Sequence, residues 1–581
     1  MKIEMAQNSG FCMGVRKAVL RIVNELNSSD DKIYMYGSLI HNPQTIEVLK
    51  NRGLITDDSL DDLDNKLVAI RTHGIPVDEN KRVKKNAARA INLTCSRVAR
   101  VQSIIKKYSG QGYYTIIIGD KEHAEVIGLK SYASERVHVV SSSSDINKIE
   151  KAEKYIIVSQ TTYERNNFSK LVDDILKKYK NIKVIDTICD STRLRQEDVK
   201  KGIERGIDTL VVVGGKNSAN TRSLAKIGSD NNIKTFHIET DSELKKEDFK
   251  DREYILVTAG TSTPGWIINN VLEKLYIFKN ESRNIIIKVI NHYLQILIRS
   301  NIISSIAALF MVLIAQLYAG IAIDIKSGII AALFIFVMYS VNNFLDRKFL
   351  IKSNPYKYNI YDQYGTHLII ASIITFSLSI YLSVQISLSL TLLLLVPYIF
   401  GLVYSTQLTK DVVKYINIDL LKKIYNTKIV TGFGWLVAVV VIPYFEKNVS
   451  LDIYLSAAIY FFLFIFTRNL MIDFAAFQGD LILGRDTLPT WLGVKNVAIL
   501  TYIIIAIGSL FFTIASITTG RSIFLLFLLC IIYYTLLLNK MQKTDYIVSL
   551  RYEFIIDFNY IILIALFFVI KFLPVATLHS N

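Results

Sequence analysis

Two kinds of hydrophobic pattern divide the chain. Up to about Lys279, apolar runs are short and charged residues interrupt them every few positions. From about Ile302 onward, runs of roughly sixteen or more mostly apolar residues recur. Short β-branched runs that alternate with amphipathic stretches predict an α/β fold with mainly parallel sheets in the first part. The long runs predict membrane-spanning helices in the second part, so two domains of different class are expected.

The same pattern predicts where these domains begin and end. We expect an α/β domain over 1–280, a linker or juxtamembrane helix over 281–298, and an all-α membrane domain over 299–575. About nine membrane spans are predicted, near 300–319, 326–343, 367–385, 387–405, 427–445, 451–472, 496–518, 522–539 and 554–573.

Charge predicts how the chain lies in a membrane. The net charge of +16 comes without a compact basic patch, so nucleic acid is not an expected partner. Lys and Arg concentrate instead in the loops after the second, fourth, sixth and eighth spans. By the positive-inside rule, the chain is predicted to be a multi-pass protein of the bacterial inner membrane with its α/β domain on the cytoplasmic side. Four cysteines and a polar amino-terminal stretch agree with a reducing compartment and no signal peptide.

Eight apolar runs of the first domain each lead to a polar or reactive side chain. These are His41, His73, Cys95, His123, Thr161, Cys189, Ser218 and Ser262. Ligands of open α/β sheets bind beyond the carboxyl ends of the strands. The sequence therefore predicts that these side chains converge on one site.

Three cysteines, Cys12, Cys95 and Cys189, stand at comparable intervals, each before a helical stretch. This spacing predicts three similar α/β units around a common centre. A lone cysteine usually packs as a small buried hydrophobe, but three thiolates without CxxC pairs leave one coordination position of a metal centre free. An iron–sulfur cluster with an open iron fits this set, and a single catalytic thiol remains the alternative.

The histidines of the first domain have two interpretations. A lone histidine beside an apolar run is usually a satisfied core residue. A group of donors suited to an anionic ligand is nevertheless present. It consists of His41, His73, His123, Ser218, Asn220 and Ser262.

An ordered set of motifs runs through the first domain. It comprises "GFCMGVRKAV", "YGSLIHNPQTIEVLKNRGL", "IRTHGIP", "LTCSRV", "GDKEHAEVIG", "SQTT", "DTICDST", "GGKNSANTRSLA" and "TAGTSTPGWII". Over roughly residues 1–278 this set closely resembles the 4-hydroxy-3-methylbut-2-enyl diphosphate reductase family, also called IspH or LytB.

The resemblance implies a cofactor and a set of site residues. A [4Fe-4S] cluster would be held by Cys12, Cys95 and Cys189, with the fourth iron free for the allylic hydroxyl of the substrate. Glu125 corresponds to the proton-relay carboxylate of the family and Thr161 to its hydrogen-bonding helper. Protonated imidazole, hydroxyl and amide groups would bind the diphosphate, at His41, His73, His123, Ser218, Ala219, Asn220 and Ser262.

The reaction implied by the resemblance is a two-electron, two-proton reductive dehydroxylation. It converts (E)-4-hydroxy-3-methylbut-2-enyl diphosphate to isopentenyl and dimethylallyl diphosphate, the last step of the non-mevalonate (MEP) isoprenoid pathway. Ferredoxin or flavodoxin would supply the electrons, because no flavin or nicotinamide motif is visible in this half. Two residues depart from the family, since Ala124 stands in place of a usual proline and Ala219 in place of a usual serine. The second change predicts weaker diphosphate binding without loss of activity.

Two polar segments interrupt the membrane half, at 342–355 and 473–489. Asn343 and Asp346 are spaced i,i+3 and Asp473 and Asp480 i,i+7, so each pair is expected on one helical face. Facing carboxylates are what Mg²⁺ needs to hold a diphosphate. With "YSTQLTK" and "TLPTWLG", these segments resemble the UbiA superfamily of intramembrane prenyltransferases over roughly residues 290–575.

The carboxylate pattern of that superfamily is incomplete in this chain. Asn343, Leu350 and Ala476 occupy three of the six positions where the superfamily has aspartate. One hypothesis makes prenyl transfer from a prenyl diphosphate to an unknown acceptor the principal activity of the protein. The alternative treats the spans as a non-catalytic membrane anchor for the reductase.

Overall fold

The computed structural model of the chain describes residues 1–28, 31–57, 64–133, 135–281, 285–345, 347, 355–405, 429–483, 487–543 and 549–572. The chain divides into two compact units, one formed by Met1–Ser282 with Leu481–Gly484 and the other by Arg283–Asp480 with Arg485–Asn581. The first unit is α/β and the second is all-α, which confirms the predicted fold class.

The α/β unit alternates strands and helices. Its strands are β1 (Lys2–Met5), β2 (Ile33–Tyr36), β3 (Leu54–Asp57), β4 (Leu67–Ile70), β5 (Arg89–Asn92), β6 (Tyr114–Ile118), β7 (Val137–Val140), β8 (Tyr155–Ser159), β9 (Ile182–Val184), β10 (Thr209–Val213), β11 (Lys234–Ile238) and β12 (Tyr254–Ala259). Its helices are α1 (Met13–Ser28), α2 (Pro43–Lys50), α3 (Val77–Asn86), α4 (Ser96–Gly110), α5 (Ala124–Lys130), α6 (Arg165–Lys178), α7 (Asp190–Glu204), α8 (Ala219–Asp230) and α9 (Gly265–Glu281).

These strands form three four-stranded parallel sheets of one common design. The strand orders are β1-β12-β10-β11, β5-β4-β2-β3 and β9-β8-β6-β7. In each sheet the first strand is an edge strand that leads to a cysteine, at 12, 95 or 189. The prediction of three similar α/β units is therefore confirmed, and the first unit joins the two ends of the domain through β1 and β12.

The eight predicted apolar runs all correspond to strands, but four further strands were not predicted. The missed strands β1, β3, β7 and β11 are sheet edges whose residues are largely half-buried or exposed. The central strands β6, β8 and β10 are buried along their whole length. A long apolar run is expected only where both faces of a strand are covered, so edge strands leave a weaker signal.

The second unit is built from helices. They are α10 (Ile285–Arg299), α11 (Ile302–Ala319), α12 (Ile325–Leu345), α13 (Pro355–Val384), α14 (Leu388–Ser405), α15 (Ile429–Leu436), α16 (Leu451–Leu483), α17 (Leu488–Leu492), α18 (Val494–Thr518), α19 (Leu528–Lys543) and α20 (Ser549–Phe572). A π-helical turn, Val437–Val441, continues α15 into the short helical stretch Ile442–Tyr444.

Seven stretches among the described residues are long and apolar enough to cross a membrane. They are Ile302–Ala319, Ile325–Leu345, Lys357–Val384, Leu451–Phe477, Val494–Thr518, Ser522–Gln542 and Glu553–Phe572. The two other predicted spans, 387–405 and 427–445, coincide with shorter apolar helices, Leu388–Gly401 and Thr431–Tyr444. The chain is thus a multi-pass membrane protein with an α/β unit ahead of its spans.

Candidate active site

Three histidines meet at the carboxyl ends of the central strands of two sheets. His41 follows β2, His73 follows β4 and His123 follows β6. The ring centroids are 4.9 Å apart for His41 and His73, 5.5 Å for His73 and His123, and 6.3 Å for His41 and His123. The convergence predicted from the strand ends therefore holds for these side chains.

Local backbone features hold two of the histidines in place. His41 directly precedes Asn42, whose side-chain oxygen accepts the backbone N–H of Thr45 at 2.8 Å and caps α2. The loop after β10 packs closely against His41. A Cβ on Gly215 in this loop would lie 2.4 Å from the His41 carbonyl oxygen. His123 is itself the N-cap of α5.

The cap fixes which nitrogen of His123 carries its proton. Its Nδ1 accepts the backbone N–H of Glu125 at 3.2 Å, so in the neutral ring Nε2 carries the hydrogen. Burial lowers the pKa of His123 to about 4, and burial also lowers the pKa of His41 and His73. Burial therefore favours the neutral form of these rings, and the expected protonated rings require the charge of a bound anion.

The remaining predicted diphosphate-binding residues lie in the same place. Ser218 is the N-cap of α8, and Ala219 and Asn220 form the first turn of that helix. A cavity of about 40 Å³ is lined by His41, His73, His123, Ser218, Ala219, Asn220 and Ser262 together with Val15, Ile40, Thr72, Thr162 and Thr261. The structure thus brings all seven predicted residues to one cavity.

Asn220 is the side chain in this cavity that most clearly lacks partners. It is 2% exposed, and both its amide nitrogen and its amide oxygen have no hydrogen-bond partner among the described residues. A buried amide without partners costs free energy, so it is usually kept for a ligand. The N-terminus of α8 beside it also presents backbone N–H groups, which favour an anion.

Glu125 and Thr161 form a buried pair next to the histidines. Glu125 is 1% exposed, and its two carboxylate oxygens accept the Thr161 backbone N–H at 2.7 Å and the Thr161 hydroxyl at 2.8 Å. Burial raises the pKa of Glu125 to about 7, against the two hydrogen bonds from Thr161, which lower it. A carboxyl group with this pKa exchanges protons readily near neutral pH.

The three cysteines occupy equivalent positions in the three sheets. Each follows an edge strand and directly precedes a helix, namely α1, α4 or α7. The backbone N–H of each cysteine donates to a threonine carbonyl beyond the neighbouring strand, from Cys12 to Thr261 at 3.1 Å, Cys95 to Thr72 at 2.9 Å and Cys189 to Thr161 at 2.8 Å. This shared hydrogen bond places each thiol beside a loop that lines the cavity or bears Thr161.

The thiols are free, close together and half-buried. Burial raises the pKa of Cys95 and of Cys189, and the neighbouring Cys12 thiol adds to both shifts. A Cβ on Gly14 would lie 2.6 Å from the Cys95 sulfur and 3.9 Å from the Cys12 sulfur, so only glycine fits there. Three converging thiols at three helix starts, with a glycine that keeps the space open, fit an iron–sulfur cluster with three protein ligands.

The histidine group also has the size of a metal site. One ring nitrogen from each of His41, His73 and His123 lies within 4.8 Å of the others. The hydrogen bond from the Glu125 backbone to His123 Nδ1 argues against a metal, because it leaves Nε2 protonated. A set of N–H donors fits an anion better than a cation.

Three of the four predicted magnesium-binding residues of the membrane unit, Asn343, Asp473 and Asp480, lie among the described residues. Asp346 lies outside the described residues. Asp473 and Asp480 lie two turns apart on α16 and are 3% and 4% exposed. Asn343, on α12, donates its amide N–H to the Tyr361 hydroxyl at 3.1 Å, a bond that does not use its side-chain oxygen.

The membrane unit also contains a large cavity and a buried ion pair. A cavity of about 460 Å³ is lined mainly by apolar side chains of α12, α14 and α15, among them Phe334, Leu393, Phe400 and Trp435. Arg468 donates from Nε to the Asp557 carboxylate at 2.8 Å, with both side chains buried. This ion pair was not predicted from the sequence, because its two members lie far apart in the chain.

Comparisons with known proteins agree with the α/β geometry. The family described as LytB protein matches residues 3–276. The 4-hydroxy-3-methylbut-2-enyl diphosphate reductase of Aquifex aeolicus is 38% identical over 276 residues, which are 47% of this chain and 95% of that protein. The chain belongs to the 4-hydroxy-3-methylbut-2-enyl diphosphate reductase family.

Two solved structures each cover about half of the chain. A structure of (E)-4-hydroxy-3-methylbut-2-enyl diphosphate reductase is 37% identical, with a TM-score of 0.39, and covers 48% of this chain and 99% of its own. A UbiA homolog from Archaeoglobus fulgidus, bound to GPP and Mg²⁺, is 14% identical, with a TM-score of 0.35, and covers 48% of this chain and 99% of its own.

Two arginines near the histidines, Arg71 and Arg222, were not among the predicted site residues. The positive charge of Arg71 adds to the lowering of the pKa of all three histidines, and that of Arg222 to the lowering for His41 and His123. Arg71 precedes His73 by two positions and Arg222 lies in the first turn of α8. Both arginines lie close in the sequence to predicted site residues, and this closeness could have identified them.

Proposed function

We propose that the α/β unit removes the allylic hydroxyl of (E)-4-hydroxy-3-methylbut-2-enyl diphosphate by reduction, giving isopentenyl and dimethylallyl diphosphate. The observation that carries this proposal is the placement of three free thiols, three clustered histidines and one buried carboxyl group at the ends of three equivalent sheets. Membership of the reductase family supports it.

The histidine side of the cavity binds the diphosphate. His123 Nε2–H, the Ser218 and Ser262 hydroxyls and the Asn220 amide are donors for phosphate oxygens. The N-terminus of α8 adds backbone N–H groups at Ala219 and Asn220. Diphosphate charge raises the pKa of the buried histidines, so substrate binding and proton uptake are coupled.

Glu125 supplies the proton. Its pKa of about 7 leaves a large neutral fraction at neutral pH, and Thr161 holds both carboxyl oxygens in one orientation. Breaking the carbon–oxygen bond with two electrons and two protons yields one five-carbon alkenyl diphosphate and one water, and one of these protons comes from Glu125. A [4Fe-4S] cluster on Cys12, Cys95 and Cys189 would supply the two electrons one at a time.

The site residues also indicate the compartment in which the enzyme works and the kind of electron donor that reduces it. Free thiols of this kind require a reducing compartment, which fits the cytoplasmic side of a bacterial inner membrane. Ferredoxin or flavodoxin is the proposed electron donor. The spans then hold the reductase at the membrane surface.

Anaerobic purification of the full chain tests the proposal. A brown protein that consumes the hydroxymethylbutenyl diphosphate with dithionite and a viologen mediator is expected. Gly14→Ala should lose the cluster absorbance and turnover, because the new methyl group meets the Cys95 sulfur. Gly110→Ala, with open space around its Cβ, is the matched control. A colourless wild-type protein without turnover after cluster reconstitution contradicts the proposal.

A second candidate function belongs to the membrane unit. We propose that this unit binds a prenyl diphosphate with Mg²⁺, because a large apolar cavity and two buried aspartates, Asp473 and Asp480, occur in it. Membranes incubated with polyprenyl diphosphates and aromatic or lipid acceptors test prenyl transfer. Transfer that depends on these aspartates supports the proposal. If their alanine variants change no cellular phenotype, the unit is a non-catalytic anchor.

A further inference from the structure

The three helices that follow the cysteines begin at the surface of the α/β unit. Met13, the first residue of α1, is 74% exposed although it is apolar. Ser96 and Asp190, the first residues of α4 and α7, are also exposed, while the preceding cysteines are half-buried. The thiols therefore lie directly beneath a surface made by residues 13–17, 96–100 and 190–194, here called the cysteine rim.

The cysteine rim is strongly basic. It contains the basic residues Arg16, Lys17, Arg97, Arg100 and Arg193 against the single acidic residue Asp190. Asp190 is already paired with Arg97 at 2.6 Å, and Arg193 is paired with Glu197, one turn further along α7, at 2.7 Å. The salt bridge to Arg97 joins the starts of α4 and α7, and a clear excess of positive charge remains.

The basic residues of the cysteine rim lie where helices usually have acidic residues. The N-terminus of a helix carries partial positive charge, which favours Asp and Glu in the first turns and disfavours Lys and Arg. Neither α1 nor α4 has an acidic residue in its first turn. Side chains that break a local rule at the same place in two neighbouring helices indicate a role in function.

We propose that the cysteine rim is the docking surface for an acidic one-electron carrier protein of the ferredoxin type. This inference rests on the proposed reductase function. Each carrier is oxidised by one electron, so two carriers dock in succession for each substrate whose carbon–oxygen bond is broken, and the hydroxyl leaves as water. Opposite charge accelerates such encounters, and exposed Met13 offers an apolar contact between the basic residues.

A structural alternative is that the basic residues only offset the negative charge of the thiolates. The two explanations differ in what depends on the exposed charges. Lys17 and Arg100 are exposed and lie in the second turns of α1 and α4, so they test the rim without altering the thiols. The double variant K17E/R100E reverses both charges, and K17R/R100K retains them.

The control reverses two charges on the same helix at its other end. Lys106 and Lys107 are exposed and lie about 15 Å along α4 from its start. K106E/K107E therefore changes the net charge by the same amount away from the rim. All variants are made in the full chain in lipid nanodiscs.

Turnover and binding are both measured. With reduced ferredoxin, K17E/R100E should lower kcat/KM about tenfold at low salt, and K17R/R100K and K106E/K107E should stay near the wild type. With dithionite and methyl viologen, a small cation, K17E/R100E should turn over at least as fast as the wild type. Binding of oxidised ferredoxin to cluster-free protein should weaken in parallel and depend on salt.

Two results would overturn the docking surface. One is unchanged ferredoxin binding and turnover in K17E/R100E. The other is an equal loss of ferredoxin-driven and viologen-driven turnover, which means that the charges support the cluster. Absent viologen-driven turnover in the wild type contradicts the reductase function instead, and the binding measurement on cluster-free protein then still decides the docking surface.

Discussion

The candidate site of the α/β unit and two polar pairs of the membrane unit hold their buried side chains in different ways. In the α/β unit, Asn220 is buried in a cavity without hydrogen-bond partners among the described residues, and Glu125 is held by a single neighbour, Thr161. In the membrane unit, Arg468 is paired with Asp557, and Asn343 donates to Tyr361.

This difference separates polar groups kept for a ligand from polar groups that stabilise the fold. A buried polar group without protein partners is costly and indicates a ligand, whereas a paired one is accounted for by its partner. The cavity of the reductase half therefore has the features of an anion-binding site, as its motifs also predict. The membrane half has a large apolar cavity, but three of its expected carboxylates are replaced.

The largest expected effect comes from Glu125→Gln. Loss of the proton donor should reduce viologen-driven turnover by about 10²- to 10⁴-fold while the cluster absorbance remains. Because the pKa of Glu125 is raised to about 7, the neutral donor form predominates below that pH and declines above it. Wild-type turnover should therefore fall about tenfold for each pH unit well above 7.

Thr161→Val serves as the comparison for that variant. It removes one of two hydrogen bonds to the carboxylate but keeps the backbone N–H donor, so a smaller loss is expected. Retention of more than a tenth of the wild-type turnover by Glu125→Gln, or a flat pH profile up to pH 9, contradicts the assigned role.

Arg468→Met tests the opposite side of the comparison. It leaves the Asp557 carboxylate buried without its cation, which should destabilise the membrane unit by about 3–5 kcal/mol. Thermal unfolding in detergent measures this effect. The double variant Arg468→Met with Asp557→Leu should recover most of the stability, because no unpaired charge remains. A loss as large in the double variant as in the single one contradicts this explanation, because the cost then does not come from the unpaired Asp557 carboxylate.

The two halves also differ in how far the sequence could predict them. In the α/β unit, a strand end fixes where the next side chain points, so the strand pattern alone predicts that His41, His73 and His123 lie together. The tautomer of His123 could not be predicted, because it depends on a cap hydrogen bond. Four of the six edge strands, among them β3 and β7, were missed because they lack long apolar runs, while the edge strands β5 and β9 were predicted.

In the membrane unit, hydrophobicity predicts the spans but not the contacts between them. Arg468 and Asp557 are 89 residues apart, and each alone resembles an ordinary polar residue in a long helix. Tyr361 gave no signal either, although its hydroxyl receives amide N–H groups from both Asn301 and Asn343. Helix packing brings such pairs together, and packing angles are not readable from the composition of one helix.

Ala219→Ser should improve the reductase site by a moderate amount. Ala219 lines the cavity at the first turn of α8, where an added hydroxyl would donate to the diphosphate. One hydrogen bond to a charged group contributes about 1.5 kcal/mol, so KM for the substrate should fall about tenfold with kcat unchanged. Ala225→Ser, later in the same helix and not among the cavity residues, should leave KM unchanged. An unchanged KM in Ala219→Ser means that the diphosphate lies elsewhere in the cavity.

Asn343→Asp, the smallest expected effect, asks whether the membrane unit retains a usable metal site. The new carboxylate would accept a hydrogen bond from Tyr361 and keep one oxygen for Mg²⁺, so binding of geranyl diphosphate should tighten a few-fold, and only with Mg²⁺. Gln385→Glu makes the same amide-to-carboxylate change at an exposed position that does not line the cavity, and should not have this effect. Calorimetry in nanodiscs measures both variants. If neither variant responds to Mg²⁺, Asn343 is explained by its hydrogen bond to Tyr361 alone, and the membrane unit is better understood as an anchor whose polar residues only stabilise its fold.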